Sequence, residues 1–486
     1  MTIKDLQPAL VFSIFDEITQ VPRPSKKEGK IRQYLLDFAA KHNLSVKTDA
    51  VGNVVMSRPA TPGHEDAPTV ILQAHMDMVC ESNDKNFDFE NSPIKTVVDG
   101  EWLRADGTTL GADNGIGMAA ALAALIDDSF VHGPLEALFT VDEETGLTGA
   151  NNLGENMITG SMLLNLDSED DAEIFVGCAG GVDTTCTFTY NRSFAPKDFL
   201  YFKINIEKGQ GGHSGGDIHL GRANANKLLA RFLFDLSQKH EVSLAEIDGG
   251  NLRNAIPRAA HAIIGVHTSR KETVRTMLNH FIADVENEYK GLEPTLEISM
   301  ESVDTPDFTI DETTSLNIIR ALYSAPHGVI SMSRDLEGLV ETSTNLAAVK
   351  MIPDNKILVT TSQRSSVESR KWDIAYQVEA VFKLAGAEVT HGDGYPGWQP
   401  NLESPIMAIA RDAYKELYDV TPAIKAIHAG LECGLFLEKY PHLDMVSFGP
   451  TLQGVHSPSE RMHIPAVEKF WGQIKRTLEK VAELKK

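Results

Sequence analysis

The stretch TVILQAHMD at residues 69–77 is a short apolar run that ends directly before a histidine and an aspartate. The run 135–141 leads in the same way to the acidic residues 142–144, and the run 162–166 leads to Asp167. A segment of small residues with the character of a helix separates the first two runs. Strands that alternate with helices predict a largely parallel sheet covered by helices on both faces. Since ligands of such sheets bind beyond the carboxyl ends of the strands, we expect these polar residues to share one site.

The 486 residues exceed what one hydrophobic core usually holds, so we expect two or three domains. After residues 180–181 the pattern changes to alternating stretches, two of which are joined by a predicted hairpin turn at Pro353–Lys356. The sequence therefore predicts an α/β fold with a mixed, mostly parallel sheet flanked by helices, and an inserted α+β domain. The expected boundaries give a parent domain of residues 1–186 and 397–486 and an inserted domain of residues 187–396.

Helical spacing of apolar residues predicts two helices before the first strand. Ser25 and Glu28 stand three residues apart behind Pro24, a capping-box pattern that predicts the start of the second helix.

The chain carries 68 acidic and 45 basic residues, a formal net charge of −23. A surface this negative repels phosphate backbones, which argues against nucleic acid as a partner. The four cysteines lie far apart without a C-x-x-C pair, as is typical of reduced thiols and not of a disulfide framework or a thiolate zinc site. We find no signal-peptide pattern and no apolar stretch near the roughly 20 residues that a membrane span needs. We therefore expect a cytoplasmic protein that does not associate with membranes.

His75 and Asp77 lie two residues apart, so in an extended segment both side chains point the same way. Imidazole binds zinc readily, and a neighbouring carboxylate can orient it. Asp113 lies in the glycine-containing stretch 109–117, where the glycines permit a tight turn into a helix. No Gly-Lys-Ser/Thr follows, which excludes a phosphate-binding loop. Asp113 is therefore either a site residue or a helix N-cap.

The adjacent carboxylates Glu143 and Glu144 repel each other, and without a cation one of them should become protonated. Two consecutive glutamates can also divide the work, one binding a metal and the other acting as a base. The alternative is an exposed acidic loop. A further histidine, His456, lies in a loop rich in Gly, Ser and Pro. Two imidazoles and three carboxylates together would form a reasonable shell for two metal ions: His75, Asp113, Glu144, Asp167 and His456.

Six motifs occur in the order and spacing of the aminoacylase/carboxypeptidase superfamily of dizinc hydrolases, which the chain resembles. They are HMDMV (75–79), GADNG (111–115), DEETG (142–146), NLDSE (165–169), GHSGGDIHLGRANA (212–225) and GVHSP (454–458). Within that superfamily, three further stretches resemble the long aminoacyl-histidine dipeptidases. These are TLGADNGIGM (109–118), YPGWQPN (395–401) and IHAGLECG (427–434). The resemblance covers essentially the whole chain.

The resemblance implies a role for each residue of the shell. Asp113 bridges two zinc ions, which cobalt or manganese can replace, and the Asp113–Asn114 peptide is cis. His75 and Asp167 bind one ion, whereas Glu144 and His456 bind the other. The remaining two residues are Glu143 as the general base and Asp77 as the carboxylate that orients His75. Cys80 departs from the family, because many relatives have proline there, but it follows the ligands and leaves their assignment intact.

The resemblance also implies roles for residues outside the shell. His213 stabilises the tetrahedral oxyanion, often from the partner subunit of a homodimer, and the inserted domain acts as lid and dimerisation domain. Arg364 and Asn345 hold the substrate carboxylate, although a surface salt bridge is the alternative for Arg364. His428 and Glu432 are expected in the pocket near the substrate.

The activity expected from the resemblance is hydrolysis of dipeptides with a free N-terminus, including Xaa-His dipeptides, by a hydroxide held between two zinc ions. An N-acyl-amino-acid deacylase on the same scaffold is the first alternative. A binding protein that has lost catalysis is the second. A requirement for a free α-amino group separates the dipeptidase from the deacylase.

Overall fold

The computed structural model describes residues 2–484, which divide into two compact units. The first unit contains the chain up to Cys178, Trp398–Ala426, and the chain from Leu431 onward. The second unit consists of Ala179–Gly397 and Ile427–Gly430.

The first boundary differs from the one expected at residues 186/187, which falls inside the strand Gly180–Thr189 of the second unit. That strand pairs without interruption from Gly180, opposite Ser365, to Thr189, opposite Lys356. The sequence offers no turn within it, so the change of unit lies before the strand and not in its middle.

The strands of the first unit form an eight-stranded mixed sheet and a separate four-stranded sheet. They are β1 (Ser45–Thr48), β2 (Val54–Arg58), β3 (Val70–His75), β4 (Thr96–Asp99), β5 (Trp102–Ala105), β6 (Leu135–Thr140), β7 (Met162–Asn165), β8 (Glu173–Cys178), β22 (Ala423–Ile427), β23 (Asp444–Ser447), β24 (Leu452–Gln453) and β25 (Arg461–His463). The order in the large sheet is β1-β2-β6-β3-β7-β23-β8-β22, and its central strands β6, β3, β7 and β23 run parallel. This arrangement confirms the predicted fold class.

The helices of the first unit flank this sheet. They are α1 (Ala9–Thr19), α2 (Gly29–Lys41), α3 (Ala112–Ala124), α4 (Thr148–Asn151), α9 (Pro405–Tyr418), α10 (Glu432–Lys439) and α11 (Ile464–Ala482). From Gly115 to its end every residue of α3 is buried, and most of these residues are alanine or glycine. Small side chains let this helix pack closely against β3 and α1 in the core of the unit.

The second unit is built on a nine-stranded antiparallel sheet with the order β16-β11-β15-β13-β19-β20-β9-β21 and β18 paired to β19. Its strands are β9 (Gly180–Thr189), β10 (Arg192–Ser193), β11 (Phe199–Glu207), β12 (Gly212–His213), β13 (Ser243–Gly249), β14 (Ala255–Ile256), β15 (Ala260–His267), β16 (Glu297–Val303), β17 (Thr309–Ile310), β18 (Gly328–Met332), β19 (Val340–Ile352), β20 (Lys356–Ser365) and β21 (Glu388–His391). Its helices are α5 (Ala225–Lys239), α6 (Lys271–Glu288), α7 (Glu312–Ser324) and α8 (Glu368–Leu384). The predicted hairpin is confirmed, because β19 and β20 pair antiparallel up to Ile352 opposite Lys356.

The capping-box prediction for Ser25 and Glu28 is wrong. The N-cap of α2 is Glu28, and its side chain makes no capping bond there. The Ser25 hydroxyl instead donates to Asp77 Oδ2 over 2.8 Å, and Glu28 Oε1 accepts from the backbone N–H of Asp142 over 3.1 Å. Both residues serve tertiary contacts that a local pattern does not reveal.

None of the helices that the structure describes combines the length and the apolar character that crossing a membrane requires.

Candidate metal centre

The carboxyl ends of three parallel strands bring the expected site residues to one edge of the large sheet. In the register of β3 with β6, His75 lies opposite Thr140, and in that of β3 with β7, Gln73 lies opposite Asn165. The residues that follow these strands therefore start from neighbouring positions. This explains why the segments 75–77, 142–144 and 167 meet at one place.

His75 is the last residue of β3 and only 1% exposed. Its Nε2 lies 3.0 Å from Asp113 Oδ1 and 3.3 Å from Asp167 Oδ1. Its Nδ1 lies 3.3 Å from Asp77 Oδ1. One edge of the imidazole thus faces two carboxylates and the other faces Asp77.

Asp77 is fully buried, and hydrogen bonds fix its carboxylate. Oδ1 accepts from the backbone N–H of Glu143 over 3.0 Å, and Oδ2 accepts from that of Glu144 over 3.3 Å. Burial acts to raise the pKa of Asp77, but the bonds from His75, Glu143 and Ser25 outweigh it and lower the pKa to about 2. Asp77 is therefore an ionised partner for the imidazole of His75, and it also holds the loop of the two glutamates.

Asp113 lies between two imidazoles. Its Oδ1 faces His75, and its Oδ2 lies 3.1 Å from His456 Nε2. The Asp113–Asn114 peptide is cis, which confirms the expectation. Asp113 and Asn114 have non-helical backbone angles at a kink in the first turn of α3, whose N-cap position is occupied by Gly111 with a φ of 68°. This left-handed conformation favours glycine.

Glu144 completes the cluster, with Oε2 3.0 Å from His456 Nε2. Its side chain is 4% exposed, so the alternative of an exposed acidic loop is wrong. Hydrogen bonds that His456 donates to Asp113 and Glu144 raise its pKa to about 11. On the other side of the cluster, burial raises the pKa of Asp167 to about 6, and Asn114 Nδ2 donates to Asp167 Oδ1.

This donor set fits divalent metal ions. Ligand atoms of His75, Asp113 and Glu144 lie within 4.8 Å of one another. Glu144 Oε1 is buried and has no hydrogen-bond partner among residues 2–484. Mixed imidazole and carboxylate donors suit zinc and its borderline relatives, whose charge compensates carboxylates brought this close. The residues that would hold such ions are His75, Asp113, Glu144, Asp167 and His456.

Glu143 lies beside this shell without belonging to it. Burial raises the pKa of its carboxyl group well above the usual range, and the negative charges of Asp167, Glu432 and Glu144 add to the effect. A carboxylate with a raised pKa is a better proton acceptor than an exposed one.

Glu432 begins α10 and is 1% exposed. Its Oε2 accepts from Gln73 Nε2 over 2.6 Å and from the Thr140 hydroxyl over 2.9 Å. Burial, reinforced by the charge of Asp167, raises the pKa of Glu432 to about 8. Its Oε1 has no partner within the part of the chain that the structure describes. Glu432 thus contacts Gln73 of β3 and Thr140 of β6, the strands that lead to the metal-site segments.

Arg364 is near the end of β20 in the second unit and is 8% exposed. Its Nη1 donates to the Tyr395 hydroxyl over 2.9 Å, and among the described residues no carboxylate lies within ion-pair distance of it. A surface salt bridge is therefore excluded as its role. A buried guanidinium without an acidic partner is suited to binding an anionic group.

His213 and His428 lie in the same unit as Arg364. Nδ1 of His213 accepts from the backbone N–H of Gly215 and Gly216 over 3.2 and 3.0 Å, which places its proton on Nε2. Burial, and then the charge of Arg364, lower the pKa values of both histidines, that of His428 to about 3. His428 Nε2 lies 2.7 Å from the Ser343 hydroxyl.

Asn345 is buried in the second unit, and its amide is held by its neighbours. Nδ2 donates to the backbone carbonyl of Ala255 over 2.8 Å, and Oδ1 accepts from Asn224 Nδ2 over 3.4 Å. One amide proton of Asn345 remains for a ligand.

Two buried charged residues near the shell, Arg23 and Glu460, received no role in the sequence analysis. Glu460 lies four residues after His456, in the same loop, and that proximity was a usable signal. Arg23 lies in the chain between the first two helices, where no pattern distinguishes it.

Comparison with known proteins agrees with this geometry. The sequence model of peptidase family M20/M25/M40 matches residues 71–480. The cytosol non-specific dipeptidase of Escherichia coli (strain K12) is 42% identical over 480 residues, with 99% of each chain covered. The crystal structure of aminoacylhistidine dipeptidase from Vibrio alginolyticus matches with a TM-score of 0.94 at 42% identity, covering 100% of this chain and 99% of that one. Aminopeptidase PepT from Bacillus cereus, at 17% identity and a TM-score of 0.62, covers 98% of this chain and 100% of its own and shares the fold.

The family match spans most of the chain, and the Escherichia coli relative aligns with it nearly from end to end. The resemblance found in the sequence motifs is thereby confirmed. The protein is a metallopeptidase that belongs to peptidase family M20/M25/M40.

Proposed function

We propose that the protein is a dipeptidase that hydrolyses dipeptides with a free N-terminus, including those that end in histidine. The observation that carries the proposal is the convergence of two imidazoles and three carboxylates at the strand ends of the first unit. The 42% identity with proteins named dipeptidases, which extends over nearly the whole chain, supports the substrate class.

The proposed centre would hold two zinc ions, for which cobalt or manganese can substitute. Asp113, whose two carboxylate oxygens face different imidazoles, would be shared by both ions. His75 and Asp167 would be the further ligands of one ion, and Glu144 and His456 those of the other. When bound, a pair of such ions polarises a carbonyl group and makes a water molecule nucleophilic at neutral pH.

Glu143 is the proposed general base. It accepts a proton from the attacking water and returns it to the amine that leaves. The backbone N–H of Glu143 donates a hydrogen bond to Asp77, which also orients His75. One buried carboxylate therefore positions both the proposed base and a proposed metal ligand. Glu432, with a buried unpartnered oxygen, is a proposed pocket residue for the substrate.

The family resemblance supports proposed roles in substrate binding for four further residues. Neutral His213 donates a hydrogen bond from its Nε2–H group to the oxyanion of the tetrahedral intermediate. Arg364 holds the substrate carboxylate, with Asn345 and His428 as further pocket residues. The resemblance also leads us to propose a homodimer in which the inserted domain acts as lid and dimerisation domain.

We propose a cytoplasmic location for the protein. Among the described residues all four cysteines are free, and Cys178, Cys186 and Cys433 are buried. Reduced, buried thiols are usual in a reducing compartment. The Escherichia coli relative is named a cytosol dipeptidase, which supports the same location.

The experiment that tests the function compares an unblocked aminoacyl-histidine dipeptide with its N-acetylated form, using metal-free enzyme with and without added zinc. We expect cleavage of the free dipeptide alone, and only with zinc present, because the centre supplies the nucleophile. Liquid chromatography of the released histidine measures both reactions. Cleavage of the acetylated compound instead would identify the deacylase, and cleavage of neither would favour a binding protein.

Replacement of Arg364 by lysine tests recognition of the carboxylate. We expect KM for a dipeptide to rise about 10- to 100-fold with a smaller change in kcat, because a hydrogen bond to a charged group is worth about 1.5–3 kcal/mol. Steady-state rates with a dipeptide and with its C-terminal amide measure the effect. The wild type should prefer the free acid, and this preference should be smaller in R364K.

The matched control for R364K is Arg253→Lys, since Arg253 lies exposed in the same unit and pairs with Asp183. It should keep the preference of the wild type. A wild-type enzyme that cleaves acid and amide equally well would contradict the role of Arg364.

A further inference from the structure

Glu460 is a buried carboxylate that binds the backbone of another loop. It is 2% exposed. Its Oε2 accepts from the N–H groups of Leu110 and Gly111 over 2.7 and 2.9 Å. Its Oε1 accepts from those of Ala112 and Asp113 over 2.8 and 3.4 Å. One side chain therefore satisfies four consecutive N–H groups at the start of α3, where they have no helical partner.

The loop of Glu460 also carries His456. His456 Nε2 contacts Asp113 Oδ2, while Glu460, four residues later, binds the backbone of Asp113 and of the three residues before it. A single short segment thus touches Asp113 through both its side chain and its backbone. This fixes the distance between the two proposed ligands more firmly than the contact of their side chains alone.

Arg23 connects the same loop to the end of β3. Its Nη1 donates to the backbone carbonyls of Met76 and Asp77 over 3.3 and 2.6 Å, and its Nη2 donates to that of Gly111. The side chain is 3% exposed. A Cβ atom at Gly111 or Gly115 would lie 2.6 or 2.7 Å from Arg23 Nη2, so only glycine leaves room for the guanidinium.

Electrostatic interactions also act on Arg23 and Glu460 at this loop. Glu460 and Asp77 both act to keep the buried guanidinium of Arg23 charged. Glu460 in turn lies at the positive end of the α3 dipole. A neutral side chain of the same size would keep the volume at either position but would lose the attraction to several backbone groups.

We propose that Glu460 and Arg23 are positioning residues that set the geometry of the metal pair by holding the loop of Asp113 against the segments of His456 and His75. The inference rests on the proposed two-metal site. Neither residue needs to touch a metal ion or the substrate, since each acts through the backbone of a ligand-bearing segment. Outer partners of this kind typically change metal affinity or activity by about 10- to 100-fold when they are replaced.

The test of Glu460 is Glu460→Gln, with Glu136→Gln as its matched control. Glu136 is 4% exposed, lies in the same unit at the start of β6, and accepts from the backbone N–H groups of Thr159 and Gly160 over 2.8 and 3.1 Å. Both variants should lower the melting temperature, because each places an amide NH₂ against backbone donors. Only E460Q should weaken binding of the second Co²⁺ ion, by about 10- to 100-fold, and change the visible absorption spectrum of the cobalt enzyme.

The second pair is Arg23→Lys with Arg58→Lys as its control, and it decides the question if E460Q does not fold. Arg58 Nη1 bridges the backbone carbonyls of Ala124 and Asp127 over 3.0 and 2.9 Å, away from the strand ends of the site. Lysine keeps the charge but not the fork, so R23K should shift the cobalt spectrum and R58K should not.

The proposal is overturned if E460Q and R23K match their controls in cobalt affinity and spectrum while the wild type binds two ions and cleaves dipeptides. A wild type that binds no metal or cleaves no dipeptide would instead contradict the proposed function itself.

Discussion

Replacement of Glu143 by alanine is expected to lower kcat by about 10²- to 10⁴-fold, the usual contribution of a general acid–base residue. Glu143 follows Asp142 at the end of β6, beside the shell, and its pKa is raised mainly by burial. Without it no side chain in the proposed arrangement accepts the proton of the attacking water. Metal binding should be unaffected, because the five proposed ligands remain. Steady-state kinetics and metal analysis of the same preparation measure the two effects.

The neighbouring residue provides the matched control, since Glu144→Ala removes an equally sized carboxylate from the same loop. Its Oε2 contacts His456 Nε2, so this variant should lose metal together with activity. If E143A lost metal and E144A retained it, the base and the ligand would have been interchanged. If E143A kept the turnover of the wild type, Glu143 would not be the base.

The strand-end pattern allowed the site to be predicted from the sequence because parallel strands bring their carboxyl ends together. His75 and Thr140 are opposite each other in the sheet, so the residues after β3 and β6 start from adjacent positions. The imidazole and carboxylate side chains of these segments then indicate a site for metal ions. The position of Asp113 required the family resemblance, since from the glycine-rich turn alone it could equally be a helix cap.

The supporting contacts could not be predicted, because they depend on how distant segments pack. Arg23 binds carbonyls of residues 76, 77 and 111, and nothing in its own neighbourhood indicates this. Ser25 and Glu28 have the spacing of a capping box, yet they bind Asp77 and the backbone of Asp142. A local sequence pattern indicates only which hydrogen bonds a segment can form within itself. These polar side chains instead form hydrogen bonds with groups that lie far away in the sequence and close by in the fold.

The Asp113→Asn variant is expected to reduce bound metal below two ions per chain and to lower kcat/KM by at least about 10³-fold. Stabilisation of charge by metal ions is worth several kcal/mol, and each 1.4 kcal/mol corresponds to about a tenfold change in rate. Asparagine is nearly isosteric, so the backbone bonds to Glu460 should persist. It is neutral, however, and offers one oxygen where aspartate offers two.

The argument for this loss is geometric. Asp113 Oδ1 lies 3.0 Å from His75 Nε2 and Oδ2 lies 3.1 Å from His456 Nε2, so it is the carboxylate that links the two halves of the shell. Without the link, His75 with Asp167 and Glu144 with His456 become separate two-residue sites, each too poor in ligands to retain zinc tightly. Asp49→Asn is the control, because Asp49 accepts from the backbone N–H groups of Gly52 and Asn53, both over 2.9 Å, in a turn of the same unit. D49N should lose stability but keep both ions. Two ions bound to D113N with the affinity of the wild type, measured by calorimetry on metal-free protein, would show that Asp113 is not the bridge.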